Sequence, residues 1–351
     1  MKNILVTGGA GFIGSNFVRR SLKLKKDWRI VVLDALTYAG NLENLNGLED
    51  EYKDRYSFNK LDIKDKEGVF KLFERENFDG VINFAAESHV DRSILGPLIF
   101  VETNVLGTVN LLEASRKYFK DGEKRFLQIS TDEVYGALGE DGSFTEETKV
   151  DPSSPYSASK TSADLFVLAY TRTYGLNVVI TRCCNNYGPY QFPEKLIPFM
   201  IKRALDNEPL PVYGDGRNVR DWIYVDDHND GTILAFEKGK IGEVYNLGAR
   251  CEKRNIDLVK IIIEKLKNNL KDRKDFKEPQ INFVKDRPGH DFRYSIDPSK
   301  AERELGFKAK VSFEEGIEKT IKWYIENEGW WRRIISGEYL EYVKKQYEDA
   351  K

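Results

Sequence analysis

The chain of 351 residues sets 55 Lys and Arg against 57 Asp and Glu, a formal charge of −2, with a pI near 6.1; charge so nearly balanced gives no sign of a protein that binds nucleic acid or a membrane surface. Its length accommodates two domains, or one large α/β domain with an appended lobe. Three cysteines, Cys183 and Cys184 adjacent and Cys251 apart, argue against a disulfide framework and for a reducing, cytoplasmic setting, and three histidines without Cys/His spacing give no metal site.

In chain order, Met1 to Val6 runs straight into a strand with no signal peptide, and no later apolar run is long enough to span a bilayer. Ile4-Leu5-Val6-Thr7 is followed at once by Gly8, Gly11 and Gly14, a Gly-x-x-Gly-x-x-Gly variant of the dinucleotide fingerprint. Such glycines let the backbone turn tightly against a pyrophosphate resting on the next helix, predicted from about Phe12 to Leu24. Glycine clusters also mark plain turns. Here a second strand, Ile30 to Leu33, ends in Asp34, twenty residues past Gly14. An acid at that place accepts from the adenosine 2′-hydroxyl and repels a 2′-phosphate, which selects NAD over NADP.

The alternation continues. Tyr56-Ser57-Phe58 leads to Asp62-Ile63, a strand end placed to meet the adenine, and Val81 to Ala86 is a buried strand whose Phe84-Ala85-Ala86 end passes close to the cofactor. His89 beyond it reads as a structural hydrogen-bonding residue, since no nucleophile accompanies it. One long helix is expected through Thr103 to Arg116. The next strand, Phe126 to Ile129, delivers Thr131, Asp132 and Glu133 to its carboxyl end, where open α/β sheets hold their ligands. Ser153, Ser154 and Pro155 then start a helix that puts Tyr156 and Lys160 on one face. An ammonium lowers the pKa of a neighbouring phenol, making Tyr156 a base for a sugar hydroxyl, with Lys160 reaching for a ribose. Asp132 and Glu133 offer an acid and a base for a second proton transfer. A lone Tyr-x-x-x-Lys is usually a solvated helix face and a lone Asp-Glu a turn; the glycine loop and the acid after the second strand raise both above that.

Strands alternating with helices imply a Rossmann-type, doubly wound parallel sheet, with a smaller mixed α/β substrate-binding domain after it. Residues 1–181 are expected to form the NAD-binding domain, with 214–250 returning to it; 182–213 and 251–351 form the smaller lobe. Within that lobe Asn185 to Pro193 reads as an ordered polar loop with Glu194 and Lys195 as binding charges. An amphipathic helix is expected from Asn255 to Lys267. Arg220 and Arg287 are a candidate pyrophosphate clamp. The tail from Gly337 reads as a solvated helix without chemistry.

These stretches resemble the extended short-chain dehydrogenase family, in its nucleotide-sugar branch, from Gly8 to about Trp331. The resemblance rests on Thr7 to Gly14, Leu36 to Asn41, Ala86 to Ser93, Ser130 to Gly136, Tyr156 to Lys160, Asn185 to Pro198, Pro211 to Asp221 and Arg287 to His290. The related epimerases generally lack the Asp-Glu pair, so Asp132-Glu133 favours the dehydratases that act on dTDP-glucose. For that substrate the resemblance implies oxidation at C4 by bound NAD, loss of water across C5 and C6, and return of the hydride to C6, giving dTDP-4-keto-6-deoxyglucose for deoxysugar (dTDP-rhamnose or other) biosynthesis. Tyr156 with Thr131 serves O4, Glu133 takes the C5 proton and Asp132 protonates the leaving hydroxyl. The cofactor contacts so implied are Gly8, Gly11, Phe12, Ile13, Gly14, Asp34, Ala35, Leu36, Thr37, Asp62, Ile63, Phe84, Ala85, Ala86, Ser88, Thr103, Tyr156, Lys160 and Asn186. The sugar-nucleotide contacts are Ser88, Thr131, Asp132, Glu133, Asn185, Glu194, Lys195, Leu196, Pro211, Tyr213, Arg220, Asn255, Arg287 and His290. A homodimer through helices around Thr103–Arg116 and Ser159–Tyr174 is also implied. Cys184, Phe292 and Ala249-Arg250-Cys251 depart from the pattern without removing a catalytic group. Two other readings stand beside this one: a nucleotide-sugar 4-epimerase or decarboxylase, and a non-catalytic NAD-binding regulatory protein.

Overall fold

The computed structural model describes residues 1–119, 122–286 and 289–335. The first half of the chain alternates strand and helix: β1 (Lys2–Thr7), α1 (Phe12–Leu24), β2 (Trp28–Asp34), α2 (Leu48–Glu51), β3 (Tyr56–Lys60), α3 (Lys66–Glu76), β4 (Gly80–Asn83), α4 (Val90–Leu95), α5 (Leu98–Phe100), α6 (Thr108–Tyr118), β5 (Arg125–Thr131), α7 (Pro155–Tyr174) and β6 (Val178–Cys183). The second half is less regular: β7 (Asn185–Tyr187), α8 (Leu196–Leu205), β8 (Leu210–Tyr213), β9 (Val219–Tyr224), α9 (Val225–Lys238), β10 (Val244–Leu247), β11 (Glu252–Arg254), α10 (Asn255–Asn269), β12 (Ile281–Val284), α11 (Ser299–Leu305), α12 (Phe313–Glu326) and α13 (Glu328–Ile334). No helix among the described residues is long and apolar enough to cross a membrane.

Seven strands make one sheet in the order β10-β6-β5-β4-β1-β2-β3, and every neighbouring pair is parallel. The period-two alternation of β1 explains its two-sided burial. Ile4 and Val6 enter one core with Phe17, Val18 and Trp28, while Leu5 enters the opposite core with Val31, Val81, Phe126 and Val178. The strand order reverses between β1 and β4, which opens the crevice where such sheets bind ligands. Thr7 Oγ1 donates to Asn83 Oδ1 across that seam at 2.5 Å.

A third core joins α8, α10, α12 and α13, with Tyr187, Phe199, Leu258, Ile262, Ile321 and Trp331 among its buried side chains. Two small sheets border it, β11-β9-β7 and β12-β8. Of the stretch 214–250, β9 pairs with β7 and β11 in this lobe, whereas α9 and β10 join the main sheet: β10 lies beside β6, and Ile233, Phe236 and Leu247 enter the first core. Ala301 and Leu305 of α11 enter that core too, so the large lobe draws on the 251–351 stretch as well. The helix expected to run unbroken from Thr103 to Arg116 instead contains a π-helical segment, Val101–Gly107, ahead of α6. Such wide turns cluster at functional sites. Here the segment carries buried Asn104, which accepts from Glu87 N at 2.8 Å and donates to Ser159 Oγ at 2.8 Å.

Candidate active site

The glycine turn between β1 and α1 permits no side chain at two of its positions. Gly8 has φ +66°, and a Cβ there would stand 2.6 Å from Ala85 N; a Cβ on Gly14 would stand 2.2 Å from Gly8 O. Asp34, at the carboxyl end of β2, braces this turn by accepting from Ala10 N at 2.9 Å and Leu36 N at 2.8 Å. Burial, the largest influence, raises its pKa against those two bonds. Gly8, Gly11, Phe12, Ile13 and Gly14 line one end of a cavity of about 310 Å³, with Asp34, Ala35 and Thr37 beside them. Asp62, Ile63, Phe84, Ala85, Ala86, Ser88, Thr103 and Asn186 line the remainder. Leu36 is the exception. Its φ is +56° and its side chain packs against the hydrophobic core, away from the cavity, which leaves its backbone, between cavity-lining Ala35 and Thr37, as the part that can meet a cofactor.

The same cavity reaches Thr131, Asp132, Glu133, Tyr156 and Lys160. Thr131 closes β5 and caps the 3₁₀ turn Asp132–Tyr135, its Oγ1 accepting from Glu133 N and donating to Asp132 Oδ1, both at 3.3 Å. Ser154 caps α7 in a reciprocal capping box with Ser157, and Pro155 takes the first turn, so the chemistry sits on a well-formed helix start. Asp132 is buried, and its Oδ2 has no hydrogen-bond partner among the described residues. Burial pushes its carboxyl well above the usual range, with Glu133 and Asp221 adding to the rise. That direction favours the protonated form an acid catalyst needs. Glu133 beside it is half-buried.

Tyr156 contradicts the expected lowering by Lys160. Burial first, then the charge of Glu133, holds the phenol well above its ordinary pKa, and the Thr131 hydroxyl bonded to it pulls the other way. Lys160 Nζ donates one of its three N–H groups to Ile129 O at 2.7 Å, and burial lowers its own pKa. Phe100 meets the Tyr156 ring edge-on at 6.3 Å between centroids and fixes its orientation.

A second cavity of about 170 Å³ adjoins the first. Ser88, Glu133, Asn185, Glu194 and Lys195 border both. Leu196, Pro211, Tyr213, Arg220, Asn255 and His290 line the second. The buried Arg220 guanidinium donates to Val219 O at 2.7 Å and Asp291 O at 3.0 Å. It also stacks over the Tyr294 ring, 4.4 Å from the centroid. Arg287, the other half of the expected clamp, lies outside the described residues, as does the 337–351 tail. His290 Nδ1 is 2.6 Å from Asp286 Oδ1. The sequence reading missed Tyr294, which lines this cavity and sits near Glu133; a tyrosine in an apolar, period-two run carries no signal beyond a strand.

A glycine-cradled cleft continuous with a Tyr-x-x-x-Lys helix and a buried Asp-Glu pair defines a nucleotide-sugar enzyme of the short-chain dehydrogenase type. The chain belongs to the GDP-mannose 4,6 dehydratase family, whose profile matches residues 5–320. It is 52% identical over 347 residues to the dTDP-glucose 4,6-dehydratase of Xanthomonas campestris pv. campestris (strain B100), covering 97% of each chain. The structure of DesIV (dTDP-glucose 4,6-dehydratase) from Streptomyces venezuelae with NAD and TYD bound is similar at TM-score 0.87 and 46% identity, over 95% of this chain and 99% of that one. That of dTDP-glucose 4,6-dehydratase from Bacillus anthracis str. Ames in complex with NAD is similar at TM-score 0.85 and 46% identity, over 95% and 100%.

Proposed function

We propose that the protein is a dTDP-glucose 4,6-dehydratase, converting dTDP-glucose to dTDP-4-keto-6-deoxyglucose and water with bound NAD. The observation that carries this reading is the pairing of buried Asp132 with half-buried Glu133 at the junction of the two cavities, because elimination of water needs an acid and a base together. The glycine cradle and Asp34 fit NAD and leave no room for side chains at Gly8 and Gly14. NAD, when bound, accepts the C4 hydride and returns it to C6, and its oxidised ring brings positive charge to an anionic site. Tyr156 removes the O4 proton, with Thr131 holding that oxygen. The resulting ketone acidifies the C5 proton, which Glu133 takes, while Asp132 gives its proton to the departing C6 hydroxyl. Glu133 then returns its proton to C5, and the proton that Tyr156 took from O4 makes good the one Asp132 gave up, exchanged through solvent before the next turnover.

The second cavity holds the sugar nucleotide in this reading, with Asn185, Lys195, Arg220, Asn255 and His290 as its polar contacts. Two copies of the chain pair through α5, the π-helical segment and α7, which pack together and expose Leu98, Val101, Leu106, Leu165 and Phe166. A cytoplasmic location accords with three free cysteines. The test is the combined Asp132→Asn, Glu133→Gln protein. Its dehydration should fall by about 10²–10⁴-fold while NAD stays bound; wild-type turnover would remove Asp132 and Glu133 from the mechanism.

A further inference from the structure

Three segments meet beside the seam between the cavities, where Glu194, read above as a binding charge, is held by Tyr38 and Arg92, two residues with no task in the reaction just derived. Tyr38 comes from the loop after β2, one residue beyond the cavity-lining Thr37. Arg92 comes from α4, just after Ser88. Glu194 comes from the loop before α8 and borders both cavities. Glu194 Oε1 accepts from the Tyr38 hydroxyl at 3.0 Å, and Oε2 accepts from Arg92 Nε at 3.2 Å. The Arg92 guanidinium lies over the Tyr38 ring at 4.0 Å, and that ring meets Phe192 edge-on at 5.7 Å. The Glu194 side chain is 1% exposed, so this is a carboxylate taken out of water and satisfied from the loop after β2 and from α4.

The remainder of the 189–195 loop is anchored independently. Asn16 Nδ2 donates to Pro189 O at 2.9 Å, the Tyr324 hydroxyl to Gln191 O and Lys195 Nζ to Ser88 O at 2.7 Å. The Tyr38–Glu194 hydrogen bond and the Tyr38–Phe192 ring contact fasten this loop to the one that follows Asp34, and Arg92 ties it to α4. Parting it leaves a buried charge without its partners, which costs more than the contact itself contributes.

We propose that Tyr38, Arg92 and Glu194 form a latch that keeps the cofactor cleft closed and sets the rate at which NAD leaves. The inference rests on the dehydratase reading, in which the hydride returns within each turnover and NAD has no need to exchange, whereas the sugar nucleotide must come and go through the second cavity. A closed roof over NAD then costs nothing per cycle.

The experiment measures dissociation of NAD from the purified full-length protein, chased with excess ADP-ribose and followed by native mass spectrometry, without any sugar nucleotide. Tyr38→Phe removes one hydroxyl and keeps the ring against Arg92 and Phe192; Arg92→Gln removes the charge. Each should release NAD about tenfold faster, a factor equal to about 1.4 kcal/mol, beyond any fall in the melting temperature of the NAD-free protein that the lost partner of buried Glu194 causes. Tyr38→Phe should keep the parent kcat at saturating NAD. Parent release rates in both variants would overturn the latch alone. Failure of the parent protein to hold NAD would overturn the latch together with the dehydratase reading. Release that accelerates only in step with the fall in melting temperature across the two variants would assign the residues to folding instead of retention.

Discussion

Asp132 and Glu133 are adjacent in sequence and differ in setting: Asp132 is sealed from water and Glu133 opens on both cavities. Burial and the facing carboxylates of Glu133 and Asp221 favour the protonated Asp132, the state that can donate to a leaving hydroxyl. Their separate substitution therefore gives different outcomes. Glu133→Gln should abolish incorporation of solvent deuterium at C5, whereas Asp132→Asn should retain that exchange and lose water elimination by about 10²–10⁴-fold. NMR of sugar recovered from deuterated buffer reads both, and equal exchange in the two variants would contradict the assignment. At this scale the sequence identifies residue types well, because Thr131, Asp132, Glu133, Tyr156 and Lys160 do share one cavity. It conveys environment poorly. The Tyr156–Lys160 spacing says nothing of the Ile129 carbonyl that takes the ammonium, or of the burial that dominates the phenol. Nor does the sequence convey that Leu36 takes a positive φ while its N–H donates to Asp34.

Elements with strong local signals were legible almost to the residue. Helix α1 begins at Phe12 and ends at Leu24, as the glycine turn and apolar pattern require, and α10 begins at Asn255 and runs two residues past Lys267. Elements set by tertiary packing were not. The π-helical Val101–Gly107 accommodates contacts to Glu87 and Ser159 from distant segments, and the pairing of β9 with β7 and β11 cannot be inferred from either strand alone. Helix α9 supplies a further test. His228 lies on it fully buried, neither ring nitrogen has a hydrogen-bond partner among the described residues, and burial lowers its pKa to about 3. The unfolded chain binds this proton near pH 6.5 and the folded one only near 3, so the stabilisation is complete above pH 6.5 and is lost as pH falls. At pH 5 the loss is about 2 kcal/mol. His228→Gln should flatten the fall in urea midpoint between pH 6.5 and 5 by about that amount. A variant as acid-sensitive as the parent would show that the decline arises elsewhere.

For the whole molecule, the parallel sheet places the chemistry at its switch point, and the smaller lobe supplies the second cavity. Strand–helix alternation made the large lobe legible; the smaller one depends on long-range joins, such as Trp330 Nε1 donating to Asn44 Oδ1, that no local pattern announces. The apolar face of α5 and α7 argues for a second copy, since Leu98 is 74% and Leu165 56% exposed on neighbouring elements. Leu98→Asp combined with Phe166→Asp should weaken pairing about 100-fold, because each places a charge in an apolar contact; light scattering across a dilution series would read it, and an unchanged mass would place the interface elsewhere. Elimination of water is the defining step, and mass spectrometry of the purified protein with dTDP-glucose and no added cofactor reads it in a single experiment. Loss of one water from the sugar nucleotide is the expected result and also shows that NAD travels with the protein. A sugar of unchanged mass, persisting after NAD is added and accompanied by an epimer from a UDP-sugar, would contradict the elimination.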